Sequence, residues 1–84
     1  MHNKHMKNNR LEILGNNIRA ERVRKKLTQP QLAELIGMNE NSIAKIERAE
    51  QSPSALAVLD IANALDIPTN ELFKGIPKND AQNF

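Results

Sequence analysis

The sequence predicts an all-α protein, a compact bundle of five short helices, and three observations carry that prediction. Apolar residues recur at helical spacing, as where Val58, Ile61, Ala62 and Leu65 fall at i, i+3, i+4 and i+7. Helix boundaries are punctuated: Thr28 is followed three residues later by Gln31, Gly37 closes an apolar run, and Asn39 opens the next. Finally, 84 residues with 39% hydrophobic content and no cysteine can bury one small core, which helix packing must hold together without disulfides.

The elements follow in order. Residues 1–10 read as a flexible basic arm and residues 11–75 as one domain. A first helix from about Leu11 to Lys25 turns Leu14 and Ile18 inward, continuing toward Leu27. Thr28 and Gln31 then form a capping box, and Pro30 fits the first turn, where its missing N–H would have no intrahelical partner. Leu32 and Ile36 share one face of that second helix, and Ala33 is small enough for another helix to cross closely. Gly37 ends it, because a residue just past a helix commonly takes φ > 0. With Asn39 as N-cap, a third helix runs from Glu40 to about Arg48, burying Ile43 and Ile46 while Asn41, Lys45 and Arg48 face elsewhere. Two short helices crossed at a three-residue turn read as a DNA-binding helix-turn-helix. After a loop over residues 49–53, helix four spans Ser54 or Ala55 to Leu65. Pro68 opens a short fifth helix through Leu72 and Phe73 to Gly75, and residues 76–84 form a flexible tail.

Net charge is only +2, but it is polarised. Residues 1–27 hold eight Lys and Arg against two acidic residues, net +6, whereas the remainder carries four against eight, net −4. The N-terminal third is therefore the phosphate-facing side. Other chemistries find no support. His2 and His5 have no third ligand nearby, so no metal is expected. There is no cysteine nucleophile, Gly-rich phosphate cradle or recognisable carboxylate pair, and Ser42, Ser52 and Ser54 suit helix and turn positions. The protein is expected to be a binder without cofactor, not an enzyme. No apolar run approaches membrane-spanning length and residues 1–10 lack a signal-peptide core, so a cytoplasmic location is expected.

From Leu14 to about Phe73 the chain resembles the lambda- and 434-repressor-like helix-turn-helix family, also called the XRE or Cro/C1-type family. The marks are LGNNIRAERVRKKLTQ, QLAELIGMN, SIAKIERAEQSPS and LDIANALDIPTNELF, in the family's order. The resemblance implies that Arg22 pairs with Glu47, clamping helix one to helix three, with another guanidinium nitrogen left for a phosphate. It also implies that Gln29 braces the recognition residues. Departures from the pattern fall where glycine is usual: Ala49 after the recognition helix, and Lys26 and Asp66, the latter two of which must tolerate φ > 0. Glu50 stands where a base is common, so that loop loses phosphate attraction.

Together these readings predict a transcriptional regulator, more a repressor than an activator, binding double-stranded DNA at a palindromic operator as a homodimer. The third helix enters the major groove, where Asn41 can pair with adenine, Lys45 can donate to guanine and Glu40 can accept from cytosine N4. Gln29, Arg19, Arg22, Asn39, Ser42, Arg48, Gln51 and Ser52 touch or support the DNA backbone. Leu56, Leu59, Phe73 and Ile76 are candidates for the dimer interface, with core completion the alternative for Leu59 and Phe73. An antitoxin-like protein-interaction module is the alternative function, supported by Leu56 and Glu50.

Overall fold

The computed structural model describes residues 9–78. Among these, four α-helices, α1 Asn9–Arg24, α2 Gln29–Ile36, α3 Glu40–Glu47 and α4 Ala55–Ala64, precede a 3-10 turn at Thr69–Phe73, and there is no strand. His2, His5 and most of the expected arm and tail lie outside the described residues.

Three boundaries differ from expectation. Helix α1 begins two residues early, so Asn9 and Arg10 belong to it and not to an arm. Leu11 packs against the core and holds its turn in helix, while Glu12 in that turn suits the helix's positive end. The fifth element is 3-10, with Pro68 extended at its cap and not inside the first turn. A five-residue segment closed by Gly75 at φ 81° has no length for a stable α-helix, and the tighter 3-10 form serves such short pieces. Ile76, assigned to the tail, is half-buried against the core, its amide donating to the Phe73 carbonyl at 3.1 Å.

All four helices end alike. Lys26, Gly37, Ala49 and Asp66 take φ between 57° and 68°, and at each the next residue's amide reaches back five residues: Leu27 to Arg22, Met38 to Ala33, Glu50 to Lys45 and Ile67 to Ala62. This Schellman closure satisfies carbonyls that would otherwise lack partners. The starts of α2, α3 and α4 are capped by side chains. Thr28 Oγ1 accepts from the Gln31 amide at 3.2 Å while Gln31 Oε1 accepts from the Thr28 amide at 2.8 Å, and Asn39 and Ser54 cap α3 and α4.

The core gathers Leu14 and Ile18 from α1, Leu32 and Ala33 from α2, Ile43 and Ile46 from α3, and Val58, Ile61 and Ala62 from α4, closed by Leu65 and Leu72. Each large aliphatic side chain so buried contributes roughly 1.5–3 kcal/mol. Leu59 and Phe73 are exposed and do not complete it. At the C-terminal seam, Asn17 Nδ2 donates to the Leu72 and Lys74 carbonyls, both at 2.9 Å, tying the 3-10 turn to α1.

Helices α1 and α3 meet closest at Gly15. A Cβ there would lie 2.5 Å from the Ile46 carbonyl oxygen and 2.7 Å from that of Glu47, so only hydrogen fits between the two backbones. Neither obstacle is a side chain that can rotate away. Gly15→Ala is therefore expected to cost about 1–3 kcal/mol of stability through overpacking, despite alanine's better helix propensity. Urea unfolding of the variant checks this, and a neutral or stabilising result would contradict the close crossing.

Candidate nucleic-acid interface

Helix α3 is divided lengthwise. Ile43 and Ile46 are fully buried, while Asn41, Lys45 and Arg48, at i, i+4 and i+7, are exposed along the opposite face. Gly37, Met38 and Asn39 form the turn that delivers this helix, and Met38 packs against the core. Asn39 Oδ1 accepts from the Asn41 amide at 2.7 Å, fixing the start of the exposed stripe. Glu40 is exposed in the first turn beside it, and Ser42 is half-buried.

The inner end of α3 is clamped by a polar cluster around Glu47, whose side chain is only 2% exposed. Arg22 Nε donates to Glu47 Oε2 at 2.7 Å and Arg22 Nη2 to Oε1 at 3.0 Å, a two-pronged pairing of guanidinium and carboxylate. Nη1, the nitrogen left for a phosphate, donates to the Leu27 carbonyl at 2.8 Å. Gln29 Nε2 adds a further bond to Glu47 Oε1 at 3.0 Å. Gln29 thus braces the end of α3 and not its N-terminal, outward residues. Three elements, α1, α2 and α3, are fixed to one another through a single carboxylate.

On the outward side of that same, C-terminal end of α3, Arg48 meets Glu50. Nε donates to Oε2 and Nη2 to Oε1, both at 3.0 Å, and the hydrogen bond, followed by the opposite charge, holds the Arg48 guanidinium above its ordinary pKa. Arg19 lines the cleft beside this pair together with Glu12 and Asn16 of α1. Gln51 is half-buried, and Ser52 lies in a different groove, with Leu11, Leu14, Phe73 and Ile76. Leu56 and Leu59 are exposed on α4 and line no part of that groove, so the four apolar candidates are not gathered into one.

Several contributors were not singled out in the sequence. Gly15 sets the α1–α3 distance, and its signal is a glycine inside a helical pattern, where packing commonly demands it. Asn17 carries no pattern, since its partners are main-chain carbonyls more than fifty residues away. The pairing of Glu50 with Arg48 was equally unmarked, although both residues were noted separately.

A helix buried on one side, capped at a three-residue turn, and lined outward with an amide and two cations is the arrangement of a helix-turn-helix DNA-binding module. The chain belongs to the helix-turn-helix family HTH_3, whose model matches residues 18–72, and so to the XRE or Cro/C1-type DNA-binding transcriptional regulators, which are not enzymes. It is 39% identical over 61 residues to the uncharacterized HTH-type transcriptional regulator YazB of Bacillus subtilis, covering 73% of this chain and 88% of that one. The restriction-modification controller protein C.AhdI from Aeromonas hydrophila superimposes with a TM-score of 0.73 at 36% identity, over 75% of this chain and 96% of the other. The c2 repressor of Salmonella phage P22, solved in complex with synthetic operator 9T, gives 0.68 at 32% identity, over 74% and 94%. Among the described residues no helix is long and apolar enough to cross a membrane.

Removing one member of the inner ion pair leaves the other charge buried. Arg22→Ala is expected to cost about 3–5 kcal/mol, whereas replacing Arg22 and Glu47 together by Met and Leu costs much less than the sum of the single changes. Arg22→Lys is a poor substitute because an ammonium lacks the planar fork. Chemical denaturation of the singles and the double decides, and strictly additive losses would show that the two side chains do not act together.

Proposed function

We propose that this regulator is a repressor that binds a palindromic operator as a homodimer, laying α3 in the major groove of each half-site. The observation that carries the proposal is the division of α3: Ile43 and Ile46 anchor one face in the core, so Asn41 and Lys45 are held outward on a rigid element. Asn41 is suited to adenine N6 and N7, Lys45 to guanine acceptors, and Glu40 to cytosine N4. Arg19, Gln29, Asn39, Ser42, Arg48, Gln51 and Ser52 supply or support contacts to the phosphates, with Arg22 acting through its grip on Glu47. The likeness to a repressor solved on an operator supports the repressor reading and the mode of docking.

Dimerisation follows from the size of the reading element. An eight-residue helix is about 12 Å long and spans only a few base pairs, so two copies about 34 Å apart on successive major grooves lengthen the site. Leu56, 71% exposed, with Leu59 on α4, and Phe73, 43% exposed, with Ile76 in the separate groove, are the apolar side chains assigned to the interface.

Asn41→Ala and Lys45→Ala are each expected to weaken specific binding by about 1–3 kcal/mol and to relax preference at one base pair per half-site, without unfolding the domain. Selection from a random duplex pool followed by titration reads both effects. Unchanged preference would remove these residues from base reading.

Leu56→Glu combined with Phe73→Glu is expected to convert the dimer to a monomer in sedimentation and to abolish tight binding to a full inverted repeat, while thermal melting shows a folded domain. Retained self-association would place the interface elsewhere. A parent chain that sediments as a monomer and binds no duplex would instead assign these apolar surfaces to a protein partner.

A further inference from the structure

We propose that Glu50 is an intramolecular stand-in for a DNA phosphate: it holds the Arg48 guanidinium in the unbound protein and thereby sets the strength and salt dependence of DNA binding without altering sequence preference. The proposal rests on the reading of α3 as the helix that enters the groove.

Geometry supplies the first argument. The Arg48 fork grips Glu50 with two bonds of 3.0 Å, and the same planar donor pair matches a phosphodiester. Position supplies the second. Arg48 lies directly after α3 on the stripe of Asn41 and Lys45. Because the helix is about 12 Å long and the major groove about 12 Å wide, a helix with its N-terminal residues at the base edges brings its other end to the phosphate wall. Arg48 is the cation at that end.

Exchange is available to this pair and denied to its neighbour. The Arg48 and Glu50 side chains are 55% and 46% exposed, against 11% and 2% for Arg22 and Glu47, so water and counterions already share the outer pair. A phosphate can take the Arg48 fork at small cost, whereas the inner fork is committed to the fold. After the exchange Glu50 cannot withdraw along the chain. Its amide is bonded to the Lys45 carbonyl at 2.8 Å, and Ala49 before it is locked in the left-handed closure at φ 62°. The carboxylate therefore stays within a side chain's reach of the incoming phosphate as a like charge, in the cleft that Arg19 also lines. Two bonds given up and one repulsion retained both act against binding to any duplex, whatever its sequence.

The test is a cycle of four full-length proteins, the parent, Glu50→Gln, Arg48→Ala and the double variant, titrated against a random-sequence duplex at several salt concentrations, with thermal melts to confirm that each is folded. Glu50→Gln is expected to bind about threefold to tenfold more tightly at low salt and to steepen the plot of log affinity against log salt by up to about 0.9, one additional phosphate neutralised. Combined with Arg48→Ala, the same change is expected to give little gain. Glu50→Gln binding as the parent does would overturn the proposal while leaving α3 in its groove. A gain that persists undiminished without Arg48 would also overturn it, since the acid would then act by general repulsion alone. If none of the four binds duplex, the groove reading falls and the proposal with it.

Discussion

The crossing of α1 over α3 is the constraint on which the rest of this domain depends. At its centre two backbones approach so closely that Gly15 cannot be given a side chain. At its edge Arg22 and Gln29 converge on Glu47, fixing the rotation of α3 about its own axis. Contact distance and rotation together determine which residues of α3 face outward. Ion pairs of this kind are a poor source of net stability, because desolvation offsets most of the attraction, but they discriminate well between alternative packings. A slippage of α3 by one residue would bring Arg48 to the buried site, where it would face Arg22 as a like charge with no carboxylate to pair with.

The same short stretch then changes character within three residues. Glu47 is part of the interior, whereas Arg48 and Glu50 belong to the solvent. Around that boundary the molecule's electrostatics are mixed and not uniformly basic: Arg19 and Arg48 share a cleft with Glu12 and Glu50. The excess of positive charge lies in the N-terminal third of the sequence, from which Arg19 reaches the cleft beside the loop that follows the reading helix.

The motif was legible because its determinants are local. The Thr28 and Gln31 box, Gly37 and the Asn39 cap each depend on residues within four positions, and all appear as read. The apolar spacing of α4 likewise located its inward face. Of the three left-handed positions without glycine, Lys26 and Asp66 were legible only by resemblance, and Ala49 was marked only as a place where glycine is usual, since nothing in those side chains requests the conformation. What escaped reading is long-range. A side-chain amide seeking main-chain carbonyls leaves no periodic trace, and an arginine two residues from a glutamate is too common a juxtaposition to mark a pairing. The fifth element was mistyped for a related reason: an apolar pair bounded by Pro68 and Gly75 specifies a turn that buries Leu72, but too few residues are present to distinguish α from 3-10 geometry.

Asn17 gives the domain a distinctive order of completion. Its amide on α1 is satisfied by carbonyls of Leu72 and Lys74, fifty-five and fifty-seven residues downstream. Capped helices and the turn between α2 and α3 need only nearby sequence and can form quickly, but this latch closes a long loop and carries a correspondingly large entropic cost of closure. During synthesis from the N-terminus, the segments that bear the reading helix emerge well before the segment that seals them. Until Leu72 arrives, one end of the apolar interior stays open to water and the packing behind the reading helix is incomplete. The apolar interior that holds the reading helix is thus sealed only once the chain through Lys74 is available.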